Sequence, residues 1–237
     1  MAELLAGATD RRPLAAADGK SGARLEAVTI AGRRFVLKHV GGGGDWVARA
    51  TRNLHCRAVR VWASGLLDAL PACLDHAVVD AAYDPKTRRG AVLQRDVGRW
   101  LVPPGETRLP PAQHRRFIDH MAALHAAFWG TAHHAGLLPL ATRYTLFAPR
   151  SIQAERAHGH LPDPLPLVPP GWRRLARRAP RAAALVRDLL TEPSRLVNPL
   201  RSTPQTLLHG DWKAGNLGEC PDGRTILLDW AVPGPGP

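Results

Sequence analysis

Two apolar, β-branched segments, Leu25 to Ile30 and Arg34 to Val40, flank Ala31-Gly32, a pattern that predicts a β-hairpin. A glycine run from Gly41 to Gly44 follows, and Asp45 then stands where an N-cap opens a helix. Trp46, Val47, Leu54, Val61 and Trp62 predict that this helix runs to about Leu67. Ala77 to Tyr83 and Ala91 to Val97 predict a second hairpin around Pro85 to Gly90. The first part therefore reads as sheet with one main helix.

Beyond Val97 the period changes. Proline-rich Arg99 to Pro111 reads as a connection. Phe117, Met121, Leu124 and Phe128 then share one face of a helix from Pro111 to Trp129. Further helices are expected near Ser151 to His158 and Trp172 to Leu190, separated by proline-rich Leu161 to Pro170. The end of the chain returns to strands: Leu207-Leu208, Asn216 to Cys220, and Thr225 to Leu228. The last two flank Pro221-Asp222-Gly223, whose chemistry favours a tight reversal that brings Asp229 back towards Asn216. A boundary near residue 98 divides the chain into an N-terminal lobe, 1–97, and a C-terminal lobe, 98–237.

Composition adds limits. With 237 residues and 45% hydrophobic content there is ample material for a core, and no apolar run is long enough to span a membrane. Met1 to Arg12 lack a basic start followed by an apolar stretch, so no signal peptide is expected. The odd set Cys56, Cys73 and Cys220 has no C-x-x-C spacing, which fits buried thiols in a reducing cytoplasm. A formal charge of +12 would attract phosphate-rich partners. Arginine supplies nearly all of it, however, and only Lys20, Lys38, Lys86 and Lys213 are lysines. Such a bias weakens charge as evidence and makes each lysine position more informative.

The chemistry concentrates in His209-Gly210-Asp211-Trp212-Lys213-Ala214-Gly215-Asn216, an H-x-D-x-x-x-x-N loop, and in Leu227-Leu228-Asp229-Trp230, where a kinase fold has its metal aspartate. Phosphoryl transfer needs a base for the acceptor hydroxyl and hard oxygen ligands for Mg2+. On these motifs the chain resembles the aminoglycoside phosphotransferase family, a branch of the protein-kinase-like superfamily. The resemblance implies Asp211 as catalytic base, Lys213 near the transferring phosphoryl group, and His209 as a structural histidine. It also implies Asn216 and Asp229 as metal ligands and Lys38, at the end of an apolar strand, as the grip on the α- and β-phosphates. Ser21, in the turn Asp18 to Ala23, and Gln94 and Val97 would lie beside the nucleotide.

Other candidates yield to simpler readings. Gly19-Lys20-Ser21 lacks the earlier glycine and the following helix of a Walker loop, and Gly41 to Gly44 reads as a connection. His120, His125, His133 and His134 lack metal-site spacing. The five arginines between Trp172 and Arg181 read as a solvated helix face, which leaves nucleic-acid binding as the weakest alternative.

The resemblance implies an α+β, protein-kinase-like two-lobe fold: an antiparallel sheet plus helix, then a mainly helical lobe. It implies ATP (or GTP) and Mg2+ as cofactors, a small-molecule alcohol as acceptor and no membrane partner. Two departures follow. No glutamate occurs from Ala27 to Gly105, so Lys38 lacks the usual helix partner, for which Asp45 is one substitute. The chain also ends eight residues after Asp229, which predicts a truncated C-terminal lobe and a helix 111–129 short of packing partners. A catalytically impaired nucleotide-binding remnant is therefore the alternative to an active kinase.

Overall fold

Strand alternation and hairpin turns organise the first half of the chain. The computed structural model describes residues 3–15, 23–41, 45–53, 55–105, 108–131, 136–159 and 161–237. Strands β1 (Ala8–Leu14), β2 (Leu25–Ile30) and β3 (Arg33–Gly41) precede helices α1 (Trp46–Ala50) and α2 (Arg57–Ala63); β4 (Leu74–Asp75), β5 (Val78–Asp84) and β6 (Arg89–Arg95) follow. A five-stranded antiparallel sheet forms in the order β1-β2-β3-β6-β5. Alternation along β3 puts Leu37 on one face, where it packs with Leu4, Val28, Ala91 and Leu93. Val36, Lys38 and Val40 take the other face. Val36 lies opposite Gln94, and Lys38 opposite Val92, on β6.

Both hairpins match the sequence reading, but the single helix from Asp45 to Leu67 does not. Asp45 does cap α1, its Oδ1 accepting from the amides of Val47 (2.9 Å) and Ala48 (3.1 Å). The chain then breaks between α1 and α2, with Arg52 and Cys56 in the left-handed region at φ 50° and 51°. There the amide of Arg57 donates to the Asn53 side chain instead of to a helical carbonyl. Threonine and asparagine supply weak helix propensity at this point, and the apolar spacing concealed the break.

The second half contains α3 (Pro111–Ala127), α4 (Leu140–Thr145), α5 (Pro149–Arg156), α6 (Val168–Arg178), α7 (Pro180–Thr191) and α8 (Ser194–Arg201). The expected helix over 172–190 is two helices because Pro180 cannot continue the first and instead opens the second at its N-terminal turn. Strands β7 (Thr206–Leu208), β8 (Leu217–Glu219), β9 (Thr225–Leu227) and β10 (Gly234–Gly236) complete the chain. β4 runs parallel to β9 and β8 antiparallel to it, while β10 pairs antiparallel with β7.

The helix at 111–127 has partners, contrary to expectation. Phe117 and Leu124, with Phe128 just beyond its end, join a buried cluster with Val59, Val61, Leu207, Leu217, Leu227 and Trp230. Its other side leaves Ile118 exposed, as is Trp129 beyond it. The terminal proline-glycine segment also has work to do, since β10 covers the β7 edge. Among the described residues no helix is long and apolar enough to cross a membrane.

Candidate active site

The end of β7 delivers the loop 209–216. His209 is buried, its ring edge-on to Trp230 at 4.7 Å and to Trp212 at 6.4 Å. Burial drives its pKa down to about 4, against the opposing pull of Asp229 and Asp211, so the imidazole is neutral at pH 7. Gly210 has φ +87°, and a Cβ there would lie 2.4 Å from the Val232 carbonyl and 2.3 Å from an Arg143 nitrogen. Only glycine lets the loop press this closely against the segment after Asp229.

Asp211 is tied to Asn216, whose Nδ2 donates to Asp211 Oδ2 (2.8 Å) and to the Asp211 carbonyl (2.9 Å). Both of these partners are acceptors, so the atom facing them is the amide nitrogen, and the Asn216 side-chain oxygen keeps its lone pairs for another partner. Lys213 places its Nζ 3.0 Å from Asp211 Oδ2. A 3-10 turn (Ala214–Asn216) leads into β8, so the strand expected from Asn216 starts one residue later. Pro221-Asp222-Gly223 makes the reversal that the sequence predicts, with Asp222 Oδ1 accepting the Arg224 amide at 3.1 Å. Its consequence is visible at the other end of the hairpin, where the Leu228 amide donates to the Asn216 carbonyl at 2.9 Å.

Asp229 sits in the left-handed region at φ 64°, a conformation aspartate tolerates better than most residues. Its Oδ1 accepts from Lys38 Nζ at 2.6 Å across 191 residues of sequence. Burial alone would raise the Asp229 pKa, but the charge and hydrogen bond of Lys38 outweigh it and hold the carboxyl below its usual value. Lys38 is thus held by the aspartate. Asp45 caps α1, and burial raises its pKa.

Of the other expected nucleotide contacts, Gln94 is buried on the Lys38 face of the sheet. Val97 packs with Ala77, Cys220 and Ile226, so it borders the β8-β9 hairpin. Ser21 lies outside the described residues, as do Lys20 and Gly42 to Gly44. For a divalent cation, the donor set fits: the carboxylate of Asp229 and the amide oxygen of Asn216 would be hard ligands at the adjoining open ends of the β8-β9 hairpin. No cluster of three or more histidine, cysteine or acidic side chains suited to a metal occurs among the described residues.

Two contributors carry no sequence signal. Arg57 donates to the Ala231 carbonyl (2.7 Å) and Arg143 to the Val232 carbonyl (2.9 Å). In an arginine-rich chain neither stands out, and neither belongs to a motif.

No family model matches the chain, and no curated protein matches it in sequence. Solved structures do. Choline kinase LicA from Streptococcus pneumoniae superposes with a TM-score of 0.54 at 13% identity, over 99% of this chain and 67% of that one. A thermostable mutant of aminoglycoside phosphotransferase APH(4)-Ia, apo form, gives 0.53 at 16% identity, over 100% and 71%. Its ternary complex with AMP-PNP and hygromycin B gives 0.51 at 15% identity, over 100% and 71%. The fold is therefore the protein-kinase-like α+β fold that these phosphotransferases share.

Proposed function

We propose that the chain is a phosphotransferase of the aminoglycoside phosphotransferase type, moving the γ-phosphoryl group of ATP or GTP to a hydroxyl of a small molecule. The observation that carries this reading is the convergence of Lys38, Asp211, Asn216 and Asp229, with Lys38 only 2.6 Å from Asp229. Residues from opposite ends of the sequence, each at its motif position, meet at one site. The solved neighbours agree in chemistry, since LicA has been crystallised with AMP and APH(4)-Ia with AMP-PNP and hygromycin B.

In this reading Asp211 accepts the hydroxyl hydrogen and aims the acceptor oxygen. Its hydrogen bond from Asn216 fixes the carboxylate, and Lys213, half exposed beside it, faces the incoming phosphoryl charge. Lys38 exchanges its contact with Asp229 for the α- and β-phosphates as nucleotide enters below the sheet. Asn216 and Asp229 would hold Mg2+, which when bound neutralises charge on the phosphate oxygens. Gln94 and Val97 would border the base.

Mg2+-dependent binding of AMP-PNP that Asp229→Ala abolishes, together with ATP turnover that Asp211→Ala abolishes, tests the reading. Nucleotide binding without turnover over a panel of small alcohols would favour the second reading, a nucleotide-binding remnant. One feature favours that alternative: Lys38 has no helix glutamate and is paired with the metal aspartate itself. Failure of AMP-PNP to bind at all would sink both.

A further inference from the structure

The segment that follows Asp229 is gripped residue by residue. The Ala231 carbonyl accepts from Arg57 Nη1 (2.7 Å) on α2, and the Val232 carbonyl from Arg143 Nη2 (2.9 Å) on α4. The Pro233 carbonyl accepts from the Leu138 amide (2.8 Å), and β10 then pairs with β7. Arg57 is only 4% exposed, and its remaining donors go to the carbonyls of Gly136 (3.2 Å) and Thr51 (3.3 Å). No carboxylate pairs with it or with Arg143 among the described residues. A weaker contact runs from Arg57 Nη1 to the Thr51 hydroxyl (3.5 Å). A buried cation satisfied by carbonyls and a hydroxyl, without a carboxylate, is costly to desolvate, and a hydrophobic side chain would fill the space more cheaply. What the guanidinium adds is geometry, because the rigid fork of Arg57 reaches the carbonyls of Ala231, Gly136 and Thr51 at once.

We propose that Arg57 and Arg143 are positioning residues that set the backbone of Asp229, and through Gly210 the catalytic loop, so that α2 is linked to the segment between β9 and β10 by a cation-to-carbonyl clamp. The proposal rests on the kinase reading for its metal consequence, but the clamp is a property of the chain itself. Arg143 serves both loops: it lies against Gly210, next to Asp211, while bonding to Val232. Arg57 joins a helix that supplies no glutamate for Lys38 to the other side of the same site. Burial, with Arg143 and Arg60 nearby, lowers Arg57 to about 10, which leaves it charged at neutral pH.

The full chain tests this with Arg143→Met, Arg143→Lys and Arg57→Lys; the lysines keep the charge and lose the fork. Tryptophan fluorescence would follow binding of AMP alone and of AMP-PNP as Mg2+ is titrated. In Arg143→Met the Mg2+ concentration for half-saturation is expected to rise by about ten- to a hundredfold, as for lost outer-shell support of a metal ligand, with AMP binding retained. Hydrogen exchange over residues 229–234 should accelerate while 111–127 stays protected. Unchanged Mg2+ dependence in all three variants would overturn the metal half of the proposal. Exchange that rises equally in both segments would overturn the clamp. A wild-type chain that binds no nucleotide overturns the kinase reading and the metal consequence with it, and the exchange comparison then decides the clamp by itself.

Discussion

The segment from β7 to β10 and the helical run from α4 to α8 are neighbours in sequence and differ in how they are held. Between residues 206 and 236 nearly every step is buried or bonded: Leu207, Leu217, Ile226, Leu227 and Trp230 sit in the core, and α2, α3 and α4 each donate to or accept from the segment. Over 140–201 the burial is sparse. Helix α6 has no buried residue, while α7 and α8 have one each, Ala183 and Val197. The first region reads as a rigid platform. The second reads as an arm attached at few points, of which the Arg49–Glu155 ion pair between α1 and α5 is one (2.6 Å).

The largest effects should therefore fall on the platform. Phe117→Ala removes a side chain buried against β7 and β9, and a loss of about 3–5 kcal/mol is expected in chemical denaturation. A loss below 1 kcal/mol would mean that α3 does not pack there in solution. Arg49→Ala leaves the buried Glu155 carboxylate without its partner, which should cost roughly 3 kcal/mol. Hydrogen exchange should speed up across α5 to α7 with the sheet unaffected; acceleration in the sheet as well would erase the contrast between arm and platform.

Histidine protonation gives a smaller, pH-gated effect. Folded His209 titrates at about 4, whereas an unfolded histidine titrates near 6.5. Between those values the unfolded chain binds a proton that the native chain refuses, so stability falls as pH drops from 7. From pH 7.5 to 5 the His209 contribution is roughly 2 kcal/mol. His209→Asn should flatten that part of the profile by the same amount. The depressed carboxylates Glu26, Asp75 and Asp229 act at lower pH, and His76, His120 and His125 titrate in both proteins, so the difference isolates one ring. Parallel profiles would count against a buried His209.

What could be read from sequence follows the same division. The two hairpins, the Pro221-Asp222-Gly223 reversal and the motif loop were legible because period-two alternation and turn chemistry are local signals. Lys38 was legible because lysine is scarce. The pairing of Lys38 with Asp229 was not, since a missing glutamate says only that one partner is absent. Helix breaks at 51–56 and at Pro180 were missed where apolar spacing ran through residues that backbone geometry interrupts. Strand β1 has polar and mostly exposed residues with no alternation to read, so it was implied only by the resemblance, in which Asp18 to Ala23 is the turn between the first two strands; β10 escaped because glycine and proline carry no strand propensity. Arg57 and Arg143 bond to carbonyls, which leaves no complementary residue in the sequence to point to them.

The smallest expected effect lies on the arm and sharpens the contrast most directly. Leu185 on α7 is 58% exposed, although an isolated reading of that helix would assign the side chain to its apolar stripe. Leu185→Ser trades one solvated side chain for another at a position with little packing to lose. The serine is a poorer helix former by a few tenths of a kcal/mol, so the net change should stay within about 0.5 kcal/mol. Denaturant titration at neutral pH measures it. A loss above about 1.5 kcal/mol would require Leu185 to be covered in solution. The arm would then be a packed part of the molecule, and its contrast with the platform would be lost.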